Sequence, residues 1–249
     1  MKCHPEADLS PVRLPRAPKP QLAGGSVDRY PELAAPRRIL DQLRVAHLDL
    51  AAHSLMAADG DLFLPDLIVT AMIQRSYGVL DALIDAVDTY NIHAAAPLLR
   101  LQLDTLFRAH YIASGPDVDS LALKLLRGEE LRKIKDADGK PLNDFRLKEL
   151  AADTHAWALP VYDKTSGWVH FSLNHMLATT QAADPNCFHM ADAIPESLWQ
   201  EIYRAAIQAT EELFAYVRGW ATRKGLPRGQ IRTESSVRLE HAVGQSLSN

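Results

Sequence analysis

Between residues 36 and 114 three long segments follow one another, each with apolar residues every three or four positions and each closed by a turn signal. Ile39, Leu40, Leu43, Ala46, Leu50 and Leu55 mark the first, and Ala58-Asp59-Gly60 stops it. Pro65 opens the second, where Ile68, Met72, Val79, Leu80, Leu83, Ile84 and Val87 lead to Tyr90. The third spans Ile92 to Ser114 and ends at Gly115-Pro116. No stretch shows the strict two-residue alternation of a half-buried strand, and a stripe repeating at 3.6 residues buries its apolar side only against another helix. The expectation is an all-α bundle of five to seven helices.

The remaining elements are shorter. Asp117 caps a predicted helix over 118–134, the Asp-Gly and Lys-Pro content of 135–141 predicts a surface turn, and a modest helix is expected over 144–153. A further helix is read over 161–180, a loop over 182–194, and a last long helix from Pro195 to Gly225-Leu226-Pro227. Residues 1–30 carry Pro5, Pro11, Pro15, Pro18, Pro20 and Gly24-Gly25 without any periodicity, and are read as a flexible tail. The helical domain then covers 31–226, with a polar C-terminal tail over 227–249. Forty-seven per cent hydrophobic residues in a chain of 249 are enough for a substantial core.

A formal charge of −4 gives no global attraction to nucleic acid or to an anionic membrane. The charged, proline-rich N-terminus lacks the apolar core of a signal peptide, and no apolar run in the sequence reaches the ~20 residues of a membrane span. Two cysteines, Cys3 and Cys187, do not make a disulfide framework. A cytoplasmic protein without a membrane association is expected.

Chemistry concentrates in two helices. Tyr162, Ser166 and His170 fall at four-residue steps, which drift about 40° per step and so place all three on one stripe of the helix read over 161–180. On the third helix Arg100 precedes Asp104 by four, at the border of the face made by Leu99, Leu103 and Leu106. Two readings stand for each group. Arg100 and Asp104 form a structural ion pair, or Asp104 fixes the guanidinium to meet an anion or orient His170. His170 is a core histidine held by a hydrogen bond, or a general acid or base, since imidazole exchanges protons near neutrality. If both groups serve one purpose, their helices must be neighbours.

The two motifs, Ala95-Ala96-Pro97-Leu98-Leu99-Arg100 with Asp104 and Tyr162-x-x-Thr165-Ser166-x-x-Val169-His170, resemble a family of bacterial helical proteins of unassigned function that is similar in architecture to the HEPN superfamily. Asp104 stands where that family usually has glutamate. The resemblance implies a HEPN-like bundle, pairing of two copies through the motif helices, and binding of RNA or a nucleotide, with metal-independent RNA cleavage of the stress or phage-defence type as the activity. HEPN ribonucleases carry an arginine, then a polar residue, then a histidine a few positions on; the nearest match is Lys164-Thr165 with His170. Lysine lacks the planar fork that grips a phosphate with two parallel donors. From the residues themselves the alternative is a non-catalytic interaction or scaffold protein in which Arg100, Asp104, Tyr162, Ser166 and His170 fasten two helices together.

Ten histidines in an all-α chain raise the question of a metal bundle. Glu-x-x-His pairs are absent, and the spacings of His47 to His53 and His170 to His175 make each pair diverge around its helix. Neither a metal nor another cofactor is expected.

Overall fold

The computed structural model describes residues 17–115, 117–170, 180–184, 187–190 and 194–224. The architecture is all-α. Eight α-helices are found among these residues: α1 (Ser26–Arg29), α2 (Ala34–Met56), α3 (Leu64–Asp88), α4 (Ile92–Ser114), α5 (Val118–Leu126), α6 (Asp144–Ala151), α7 (Ala158–Val169) and α8 (Glu196–Lys224).

Local chemistry sets the helix ends. Asn91, Asp117 and Asn143 each turn a side-chain oxygen back onto an N–H of the first turn, capping α4, α5 and α6. At α3 the Asp66 carboxylate accepts the Phe63 N–H at 2.7 Å, which settles the entry of a helix whose first turn holds Pro65.

Four helices enclose the core: α2 packs on α3 and α8, and α4 completes the ring by packing on α3 and α8 as well. The buried pairs Arg37 with Asp88 and His47 with Ser76 show α2 and α3 to be antiparallel. Gln102 with Thr210 and His110 with Tyr216 keep a constant offset, so α4 and α8 run in the same direction. Leu40, Leu80, Leu83, Ile84, Leu99, Leu103, Phe107, Trp199 and Leu213 fill the space between them. Between α4 and α8, α5 packs against α3, while α6 and α7 lie on α4. By length and composition α3 is the one described helix apolar enough to cross a membrane. In the bundle its apolar side is consumed by the core, where Asp66, Ser76 and Asp88 are buried on the same helix.

The structure departs from the sequence reading in three places. Residues 17–30 are docked, not a free tail. The Lys19 ammonium meets Asp81 and Asp85, the Lys19 N–H meets Asp41, and Ser26 shares a hydrogen bond with Tyr203 at 3.0 Å. Gly25 lies so close to α3 that a Cβ there would sit 2.5 Å from the Asp88 carbonyl oxygen. Val27 enters the core, but most of the contacts that hold this segment are polar or backbone, and an apolar periodicity does not register them. The helix expected over 118–134 ends at Leu126, with Gly128 at φ +83° leading to a 3-10 turn at Leu131–Lys133. The helix expected over 161–180 ends at Val169, and part of the expected loop pairs as an antiparallel hairpin of β1 (Thr180–Asp184) and β2 (Cys187–Met190). The predicted tail over 227–249 lies outside the described residues, as do residues 1–16.

Candidate functional site

The antiparallel packing of α7 on α4 brings four of the singled-out residues together. Arg100 donates from Nη1 to Asp104 Oδ1 at 3.0 Å along its own helix and from Nε to Ser166 Oγ at 3.1 Å across the interface. Its guanidinium sits over the Tyr162 ring, with Cζ 3.2 Å from the ring centre. Ser166 passes its own proton to the Tyr162 carbonyl at 2.8 Å. A second cation supports the carboxylate: Arg108 is 3.7 Å from Asp104 Oδ1, bonds the Asp104 carbonyl, and reaches Asp144 on α6 at 2.6 Å. Asp104 is buried, and burial raises its carboxyl pKa against the opposing pull of Arg100 and Arg108. Burial, followed by the negative field of Asp104, likewise pushes the Tyr162 phenol well above its ordinary value. Tyr162 is therefore neutral, and its buried hydroxyl has no hydrogen bond of normal geometry among the described residues.

The other two singled-out residues are elsewhere. His170 is the C-cap of α7, with φ −105° and ψ 142°, and is exposed. The four-residue stripe fails at its last member because the helix ends one residue before it. No hydrogen bond joins its ring to Arg100 among the described residues. Lys164 points to α8, where its ammonium meets the Glu201 carboxylate. The lysine–histidine pair of the resemblance therefore does not converge with Arg100.

A second polar cluster was not visible in the sequence. His155, from the connection between α6 and α7, places Nδ1 2.6 Å from Glu212 Oε2 and Nε2 2.6 Å from the Tyr216 hydroxyl, both partners on α8. Tyr216 also meets His110 Nδ1 at 2.9 Å, and His110 Nε2 meets the Leu150 carbonyl at 3.1 Å. The inventory of donors assigns the protons. A carbonyl only accepts, so His110 Nε2 carries a hydrogen. Burial first, and then the charge of His155, lowers the His110 pKa, so its Nδ1 is the bare acceptor of the Tyr216 O–H. The Tyr216 oxygen then accepts from His155 Nε2–H. Trp157 and Gln208 both donate to Glu212 Oε1 at 2.9 Å, leaving Oε2 to face His155 Nδ1. His155 is 3% exposed and held at both ring nitrogens, by Glu212 and by Tyr216. The network orders His110, His155, Glu212 and Tyr216 from α4, α8 and the α6–α7 connection. It presents no nucleophile. The one local signal was Gln208, Glu212 and Tyr216 at four-residue steps on α8, while His110 and His155 reach it only through the fold.

His110 also forms part of the wall of a cavity of about 510 Å³ bounded by α4, α5 and the segment leading into α6. Its floor includes Ile112, Leu121, Ile134 and Leu150, and its rim carries several charged side chains. Elsewhere in the bundle His47, Ser76, Gln102 and Thr210 form a buried ladder across the four core helices. Among the described residues no group of three histidine, cysteine, aspartate or glutamate side chains is placed to hold a metal ion. Comparison of the chain with protein-family models, with curated proteins and with solved structures finds no match.

Proposed function

We propose that this chain is a non-catalytic helical interaction protein in which Arg100, Asp104, Tyr162 and Ser166 fasten α7 to α4. The observation that supports this reading is the engagement of Arg100 on three sides, by Asp104, by Ser166 and by the face of Tyr162. A guanidinium held this way, only 15% exposed in its side chain, has surrendered most of its donor fork to the protein. Removing one partner of such a half-buried group strands the others, which is the energetic signature of a staple. Denaturant melts of Arg100→Ala, Ser166→Ala and the double variant test it. Arg100→Ala should cost about 2–3 kcal/mol and Ser166→Ala about 1 kcal/mol, with a coupling of at least ~0.5 kcal/mol between them. Unchanged stability in Arg100→Ala, together with loss of a measured RNA-directed activity, would overturn the reading.

A second reading is favoured by the exposure of His170 at the end of α7, six residues after the exposed Lys164. In it a cytoplasmic, HEPN-like homodimer binds RNA or a nucleotide, with His170 exchanging the proton of RNA cleavage. An RNA-cleavage assay of the wild type against His170→Ala decides it: cleavage lost in the variant supports this reading, and no cleavage by the wild type removes it.

A further inference from the structure

We propose that the cavity between α4, α5 and the segment leading into α6 is a binding site for a small organic anion with an apolar body. The inference is independent of the α4–α7 reading, since none of the residues that carry it touches Arg100. It rests on the charge inventory of the cavity wall.

The acidic side chains of the wall are engaged. Asp117 accepts the Ser120 N–H at 2.9 Å as the cap of α5. Asp136 accepts the N–H groups of Asp138 and Lys140 at 2.9 Å and pairs with Arg146 Nε at 2.6 Å, and Asp138 takes Arg146 Nη2 at 2.5 Å. Arg146 is used up by these two and by Glu149 at 3.3 Å. Two cations of the wall remain, Lys124 and Lys135, and neither forms an ion pair among the described residues. The same wall carries Ile112, Leu121, Ile134 and Leu150, with Ile134 6% and Leu121 8% exposed.

Two ammonium groups on the wall of a cavity with an apolar lining attract an anion whose body removes that lining from water. A single ring or a fused pair with a carboxylate or sulfonate matches both the volume and the polarity. A polyanion such as a nucleoside triphosphate does not, because Asp117, Asp136 and Asp138 stand on the same wall. His110 reports on occupancy: it borders the cavity, and a negative charge brought near it favours the imidazolium, so binding raises its pKa.

The test uses 8-anilinonaphthalene-1-sulfonate and its uncharged counterpart N-phenyl-1-naphthylamine with the full chain. Fluorescence titration should show saturable one-to-one binding of the sulfonate, weakened about tenfold in Lys124→Ala/Lys135→Ala and at raised ionic strength. The amine should bind both proteins equally. In NMR spectra of the wild type, the His110 ring resonance should move with saturation and titrate at higher pH when the probe is bound, while that of His170 stays put. The two lysine substitutions are at the rim, so the double variant should keep the wild-type melting temperature. Absence of saturable sulfonate binding, equal affinity in the double variant, or a stationary His110 resonance overturns the proposal.

Discussion

Acidification should unfold this bundle through His47. The ring is 1% exposed, donates from Nδ1 to the Leu43 carbonyl at 2.8 Å, and receives the Ser76 proton on Nε2, also at 2.8 Å. Phe214 closes over it edge to face, 4.6 Å between centroids. Burial drops its pKa from 6.5 to about 4, against the smaller opposing effect of the Leu43 carbonyl. Between those values the unfolded chain binds a proton that the folded one does not, so stability falls as pH falls. The neutral ring in place above pH 6.5 adds nothing further there. From the 6.5 and about 4 end points the loss is about 2 kcal/mol at pH 5 and about 3 kcal/mol at pH 4 relative to pH 7. Carboxylates also titrate in this range, so the measurement is a difference. Denaturant melts of the wild type and His47→Gln at pH 7, 6 and 5 should show the variant less stable at pH 7 by about 1–3 kcal/mol, for its weakened contacts. That gap should shrink by about 2 kcal/mol at pH 5, because the glutamine has no proton to bind. A gap independent of pH, or a His47 ring resonance titrating near 6.5, refutes the reasoning.

Gly25→Ala should cost about 1–3 kcal/mol in a denaturant melt, since the new Cβ meets the Asp88 backbone at 2.5 Å and the docked N-terminal segment must lift; a neutral substitution would show that segment to be loose in solution. Lys224 has a side chain with 0% exposure, 3.0 Å from Asp66, so Lys224→Met should cost about 3–5 kcal/mol by leaving a buried carboxylate without its cation. Adding Asp66→Asn should then recover part of that loss, and simple additivity of the two changes would count against the pairing. Tyr216→Phe should cost about 1–3 kcal/mol by removing the hydroxyl between His155 and His110, and should shift the Nδ1 signal of His110 in ¹⁵N spectra; an unmoved signal contradicts the proton assignment.

The helices were legible because their causes are local. Apolar spacing, Asn91, Asp117 and the Gly115 stop all act within a turn or two, and α4 runs from Ile92 to Ser114 as its pattern implied. So was the candidacy of Arg100, Asp104, Tyr162 and Ser166, because four-residue spacing places side chains on one face before any tertiary contact exists. Whether those faces meet was not legible. Arg100 and Ser166 are 66 residues apart in the chain, and only the antiparallel packing of α7 on α4 turned two stripes into one staple. The same packing excluded His170, since α7 ends at Val169 and the periodicity on which its place depended ends there too. His110, His155 and Tyr216 share no local pattern, and the docking of residues 17–30 rests, apart from the single core residue Val27, on polar and backbone contacts that hydropathy does not register. The amino-acid order thus determined which segments become helices and which faces carry chemistry, while the network around His155, the engagement of Arg100 and the gathering of Lys124 and Lys135 on one cavity wall arose only when distant segments were brought together by the fold.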